Sequence, residues 1–354
     1  MKRKITSILL LFLLLLATMP AGAGKHMGTR WSEDRANAWY ASLPWMSGCN
    51  YIPATAINQI EMWSKETYDP NQIDKELGWA QELGFTTMRV FLSSVVYEHD
   101  PAGMKKRINN FLDICSRHGI RPLIVFLDEC WAQESHYGKQ PAPKPGIHNS
   151  GWVRDPSRSL RKDTVTLYRN LSKYVKDIIS SHRNDKRVLA WDLYNEPSPE
   201  SLWLLKKVFE WAREVDPSQP LTSGLSNYSK PFSAIDAFQL ANSDVISYHN
   251  YQDPHDQMED IRHLQAFNRP LMCTEYMARP RNSKFSNIMP LLKQNKIVAI
   301  NWGFVSGKTN TIFAYNTPIP DGKEPAVWFH DIIRQDKTPF DQSEIDLIKK
   351  LNGK

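Results

Sequence analysis

Val188-Leu189-Ala190-Trp191-Asp192-Leu193-Tyr194-Asn195-Glu196-Pro197 is an apolar run that finishes on a carboxylate. A second stretch, Pro270-Leu271-Met272-Cys273-Thr274-Glu275-Tyr276, repeats that pattern 79 residues later. Both are short, apolar and bounded by proline or polar residues, which marks a buried strand. A glutamate at the end of such a strand is costly to desolvate unless it has partners or a task.

Working outward, similar runs occur at Met46-Asn50, Thr86-Phe91, Arg121-Leu127, Leu221-Gly224, Val245-His249 and Val298-Phe304. With Val188-Tyr194 and Leu271-Thr274 they make eight predicted strands. Amphipathic stretches lie between them: Asp74-Leu83, Gly103-His118, Thr164-Ser181, Pro199-Val215 and Pro254-Phe267. Leu83-Gly84 and His118-Gly119 fit helix stops. Alternation of this kind predicts an α/β chain whose parallel sheet closes into a (β/α)8 TIM barrel. A doubly wound open sheet is the rival, but no GxGxxG follows an early strand. No repeat or linker divides the chain, so 24–354 is expected to be one domain. Glu129 to Ser159, with Pro141-Ala142-Pro143-Lys144-Pro145-Gly146 inside it, is the longest irregular stretch; such loops are often functional. The tail from Ala326 to Leu351 is expected to form two short helices around Lys337-Thr338-Pro339.

The chain starts with Lys2, Arg3 and Lys4, an apolar run from Ile8 to Ala17, and small residues at Ala21-Gly22-Ala23. That order predicts a cleaved signal peptide over 1–23 and an exported protein, periplasmic or extracellular. The apolar run is short of the roughly 20 residues a membrane span needs, so no span is expected in the mature chain. Without those three basic residues, 41 Lys and Arg face 38 Asp and Glu, and the net charge falls from +6 to +3. The charges are interspersed, which gives no basic tract for nucleic acid. Cys49, Cys115, Cys130 and Cys273 have irregular spacing without a CxxC pair, and buried free thiols are favoured over disulfides.

A (β/α)8 barrel puts its active site at the carboxyl ends of its strands. The candidates are then Arg89, Asp128, Asn195, Glu196, His249, Tyr251, Glu275 and Trp302, with Trp131 and Trp152 from the long third loop. Paired carboxylates at such a mouth are the working parts of glycoside hydrolysis, in which one acid protonates the leaving oxygen and a second carboxylate attacks or activates water. The sequence has no HExxH and no histidine cluster at ligand spacing, so neither a metal nor a cofactor is called for.

On these residues the chain resembles a clan A glycoside hydrolase, nearest to family 5 and sequences labelled cellulase or 1,4-β-xylanase. Asn195-Glu196-Pro197 matches that family's acid/base motif, and Glu275 its nucleophile. Arg89, His249-Asn250-Tyr251 and Trp302 match further family positions, all in the family's order. The resemblance implies a retaining enzyme acting on a β-linked polysaccharide or its oligosaccharides, with Glu196 as acid/base and Glu275 as nucleophile. Asp128-Glu129-Cys130-Trp131 departs from it, since the family often has a histidine there, as does Asp192 where a Glu is usual. Arg89 and Tyr251 are expected to lower the pKa of Glu275, and apolar surroundings to raise that of Glu196. Each residue has a plainer alternative: Arg89 a structural ion pair, His249 a core histidine, Trp302 barrel packing, Trp131 and Trp152 loop anchors. A barrel that binds carbohydrate without turnover, and a metal-dependent esterase or amidase, are the competing functions.

Overall fold

The computed structural model describes residues 28–226, 228 and 231–354; the predicted signal segment lies outside them. Nine parallel strands form one sheet: β1 (Ser47–Asn50), β2 (Thr87–Phe91), β3 (Arg121–Asp128), β4 (Ala190–Asn195), β5 (Leu221–Thr222), β6 (Leu225–Ser226), β7 (Ile246–His249), β8 (Leu271–Glu275) and β9 (Val298–Trp302). Their order is β5-β4-β3-β2-β1-β9-β8-β7-β6. The two outermost strands are consecutive in the chain. The predicted fifth strand is thus one run broken at Ser223-Gly224, pairing with β4 through its first half and β7 through its second. Thr222 Oγ1 reinforces that seam, reaching Val245 O at 2.8 Å and Ser247 Oγ at 2.7 Å. The result is a (β/α)8 barrel.

Helices fill the connections, and their starts follow from sequence. Asp69, Asp100 and Asp253 each accept backbone N–H groups, and a proline at the next position opens the helix. Gly84 and Gly119 follow helix ends at φ of +78° and +69°, where a side chain would be strained. The helix Thr164–Ser181 shows why the layers adhere. It buries Leu167, Leu171, Tyr174, Val175, Ile178 and Ile179 at helical spacing against the outside of the sheet. Among the described residues, no helix is long and apolar enough to cross a membrane.

Inside the barrel Met46, Leu123, Leu189, Val245, Met272, Val298 and Ile300 form a separate apolar plug. The charged layer lies above it, toward the strand ends. All four cysteines are free, with Cys49, Cys115 and Cys273 buried and Cys130 partly exposed. The tail differs from expectation. Residues 326–340 form no helix; Lys337 turns at a φ of +75°, and only Gln342–Asn352 is helical. The segment instead adds isolated bridges from Ile333 to Val305 and Pro339.

The close approach of β1 to β2 gives a test. A Cβ on Gly48 would sit 1.8 Å from the carbonyl oxygen of Thr87. Gly48→Ala is expected to destabilise the fold by about 1–3 kcal/mol, the usual cost of overpacking, as measured by urea unfolding.

Candidate active site

Arg89 stands on β2 with its side chain inside the barrel and is fully buried. Its guanidinium donates from Nε and Nη2 to Asp192 Oδ2 (3.0 and 2.8 Å), and from Nη1 to Glu275 Oε1 (2.7 Å). It also donates to Asn195 Oδ1 at 2.7 Å and Asn50 Oδ1 at 2.9 Å. Expected to meet substrate, Arg89 instead lies beneath the cleft floor and holds the groups that line it. Alternation along the strand explains this: the inward side chains of β2 and β4 meet across a closed barrel, where only a paired charge is tolerated.

Glu275 ends β8 and is nearly buried. Besides Arg89, it accepts a hydrogen bond from Tyr251 Oη at 2.8 Å on Oε2. Glu196 follows β4 at a φ of +44°, a turned conformation that lifts its carboxyl out of the strand line into the mouth. Its side chain is about a quarter exposed (26%). Oε1 shares a 2.7 Å hydrogen bond with His249 Nδ1, and Oε2 accepts from the Cys130 thiol at 3.2 Å. His249 bridges the acids, with Nε2 at 3.5 Å from Glu275 Oε1. That contact has ion-pair distance without hydrogen-bond alignment, and Nε2 counts among the buried unsatisfied atoms. One atom from each of Glu196, His249 and Glu275 lies within 4.8 Å of the others. Such a trio could grip a cation, but Arg89 already supplies Glu275 with a fixed positive charge.

Burial raises both carboxyls above the usual range, and for Glu275 this corrects the expectation of a lowered pKa. On Glu275, desolvation and the Glu196 charge outweigh the opposing pull of His249, Arg89 and Tyr251. The contacts still separate the two. Glu275 holds Arg89 and Tyr251 directly, whereas Glu196 meets the His249 ring and the Cys130 thiol, with the Arg89 charge farther off. Two acids this close oppose joint ionisation, and their contacts differ. Burial pushes His249 down to about 4, so the ring is neutral at ordinary pH.

A cleft of about 550 Å³ covers these groups. It is lined by Asp128, Trp131, Trp152, Asn195, Glu196, His249, Tyr251, Glu275 and Trp302, which is every candidate from the sequence except Arg89. Trp152 is almost wholly buried and gives its indole N–H to Asp128 Oδ2 at 2.6 Å. Asp128 in turn accepts from Asn195 Nδ2 at 2.9 Å, so it orients Asn195 as well as facing the cleft. Trp131, at 41% exposed, offers an open ring. Sequence reasoning misses Cys130, His148, Tyr228, Arg281, Tyr315 and His330, which also line the cleft. They come from loops whose course no periodicity reveals; only Cys130, beside the aromatic pair of loop three, is within its reach.

A barrel with a polar cleft over two acids at its carboxyl mouth is the architecture of a glycoside hydrolase, and comparison with known proteins gives the family. The chain belongs to the family described as "Glycosyl hydrolases family 2, TIM barrel domain", whose model matches residues 106–307. It is a clan A glycoside hydrolase, near family 5 in fold. GH5_18 from Streptomyces cattleya, solved with GlcNAc, is similar at 10% identity, with 86% of this chain and 79% of that one covered and a TM-score of 0.58. An exo-β-1,4-mannosidase from Opitutaceae bacterium strain TAV5 shares 17% identity over 88% of this chain and 59% of that one (TM-score 0.62). An endo-β-1,4-mannanase from Thermotoga petrophila shares 14% over 89% and 77% (TM-score 0.55). No curated protein sequence matches.

Removing Arg89 tests the floor. Arg89→Met leaves Asp192 and Glu275 as uncompensated buried acids, with an expected loss of about 3–5 kcal/mol in chemical unfolding. Asp192→Asn, which keeps shape and a hydrogen-bonding oxygen, is expected to cost less in the same measurement.

Proposed function

We propose that this protein is an exported retaining β-glycosidase that cleaves O-glycosidic bonds of a β-linked polysaccharide or its oligosaccharides. The observation that carries this is the approach of a Glu196 oxygen to within 4.8 Å of one on Glu275, with the two acids in different surroundings. Retaining enzymes hold their carboxyls roughly 5–5.5 Å apart, and inverting ones leave about 6.5–9.5 Å for water. The short gap supports double displacement.

Glu275, held by Arg89 and Tyr251, is the nucleophile: it attacks the anomeric carbon as the glycosidic bond breaks. Glu196 gives its proton to the departing oxygen, then takes one from the water that releases the sugar. Asn195, fixed between Arg89 and Asp128, is placed to meet the 2-hydroxyl, where hydrogen bonds strengthen in the oxocarbenium-like transition state. Trp302 gives the reacting ring an apolar face. The sugar is open among mannose, glucose and xylose; the mannosidase and mannanase among the similar structures put β-mannosides first in a substrate panel.

Substitution separates the two roles. Glu275→Gln is expected to abolish turnover of every aryl β-glycoside while ligand binding persists, as read by steady-state rates and calorimetry. Glu196→Gln should lower hydrolysis of alkyl β-glycosides by about 10²–10⁴-fold. It should slow formation of the covalent intermediate from a dinitrophenyl glycoside far less, since that leaving group needs no proton. Equal inactivity of wild type and both variants across the panel would favour a binding protein.

The thiol at Glu196 gives a pH test. A donated S–H favours the ionised carboxyl, so removing it raises the pKa, and the acid keeps its proton to higher pH. Cys130→Val, similar in size and lacking the donor, should move the alkaline limb of the kcat/KM profile upward.

A further inference from the structure

The loops above the barrel close one end of the cleft. The third loop, 129–159, is tied to the loop after β9: Asn149 N donates to Thr309 O at 2.7 Å, and Ile319 N to Gly146 O at 3.1 Å. Gly146 has a φ of +67°, and a Cβ there would lie 1.6 Å from Ile319 O, so the two loops meet backbone to backbone. The loop after β1 joins the same seam. Asn58 Nδ2 donates to Gly151 O at 2.8 Å, Gln59 Nε2 to Val153 O at 2.6 Å, and Lys308 N to Ala54 O at 3.0 Å. These bonds cross the mouth above β9, β1, β2 and β3.

The cleft stops at that wall. No residue from the loops after β1 or β2 lines it. Behind Trp152 and Trp302 the remaining void is about 20 Å³, room for a water and not for a sugar. Trp302 packs edge-on against Phe91 at 5.9 Å and Trp152 at 6.0 Å, so the ring-stacking face backs onto the closed side. The opposite end opens past Glu196 toward Tyr228, Gln252, Asp256 and Glu259. The departing group leaves on the side of its proton donor, which is the open side. The sugar under attack by Glu275 then has the wall behind it.

The closed end also carries polar groups suited to a chain terminus. His148 and His330, their rings 5.4 Å apart, each donate Nδ1–H to a carbonyl, Phe313 O at 2.7 Å and Met277 O at 2.5 Å. Burial holds both rings neutral, so each Nε2 keeps a lone pair. Both line the cleft, and among the described residues neither Nε2 has a hydrogen-bond partner. Arg281 lines it too, over the Tyr315 ring at 4.9 Å and without an ion pair among the described residues. Two acceptors and one donor cation suit the free hydroxyls of a single terminal sugar.

We propose that the joined loops make the cleft a blunt pocket for one sugar unit, so that the enzyme removes monosaccharides from non-reducing ends. This deepens the glycosidase reading above and rests on it. The similar structures include both an exo- and an endo-acting enzyme, so the mode is argued from the wall alone.

The test uses the wild-type chain with β-1,4-linked pentaoses of mannose, glucose and xylose labelled at the reducing end. Each is also supplied with its non-reducing 4- and 6-hydroxyls (for xylose, the 4-hydroxyl) blocked. Aryl β-monoglycosides of the three sugars run in parallel. The expected first products are a monosaccharide and the labelled tetraose, with the blocked pentaose cleaved slower by on the order of 10²-fold or more. Cleavage of an aryl bioside first to monosaccharide and aryl monoglycoside, with the aryl group released only afterwards, would support the same pocket. Early labelled bioses or trioses, or equal cleavage of blocked and free chains, would overturn it while leaving the glycosidase intact. Inactivity toward every aryl β-glycoside and pentaose would remove the glycosidase reading, and this inference with it.

Discussion

Arg89 puts one permanent positive charge between two carboxylates where no bulk water screens them. Its five donated hydrogen bonds tie β1, β2, β4 and β8 together through Asn50, Asp192, Asn195 and Glu275. A guanidinium suits this place because its donors lie fixed in a plane and it cannot lose its proton. The arrangement is strained electrostatically all the same: among the described residues Asp192 Oδ1 has no hydrogen-bond partner, and burial raises the pKa of Asp192 despite the ion pair. Such a cluster adds little net stability compared with apolar packing. What it provides is position, because no member can move without stranding another.

That fixed position sets the difference between the two acids. A buried carboxyl and a partly buried one, with oxygens inside 4.8 Å of each other, oppose joint ionisation. Which one keeps the proton depends on contacts set by strand geometry. Glu275 ends its strand facing Arg89 and Tyr251. Glu196 leaves its strand through a left-handed turn, beyond hydrogen-bonding reach of the guanidinium, and meets a neutral imidazole and a thiol. A thiol is a weak donor, so it favours the ionised carboxyl less than a guanidinium would.

The barrel is legible because its signals are local. Most strands lie in apolar runs, the long helices show their period, and three of the five Asp-Pro pairs open a helix. Glu196 and Glu275 stand out because a carboxylate closing an apolar strand must be either paired or put to chemical use. Sequence reasoning goes wrong where the answer depends on depth or on long-range contact. Strand order gives the layer of a residue only approximately, so the pattern puts Arg89 in the cleft rather than under it. The direction for Glu275 comes out reversed because its ion pair is visible in the pattern and the extent of its burial is not. The fifth strand breaks at Ser223-Gly224, where the Gly224 backbone lies so close to His249 that a Cβ would sit 2.9 Å from Nε2. Of the two helices expected over the tail, the second forms at Gln342–Asn352, and the first gives way to bridges with Val305 and Pro339, partners that no periodicity announces.

Chemistry and specificity occupy different layers of this molecule, and the physics of each differs. The acids sit at strand ends and Arg89 within a strand, where a sheet of continuous hydrogen bonds restricts movement. The wall around them is loop meeting loop, held mainly by backbone groups such as Asn149 N on Thr309 O and Ile319 N on Gly146 O. Backbone bonds of this kind constrain the side chains at the seam very little, with Gly146 an exception because its carbonyl neighbour leaves no space. His148 is fixed by that same seam, since its Nδ1 bonds to Phe313 O from the facing loop. His148 is therefore held by the contact that ends the cleft, so opening the wall would also free its ring.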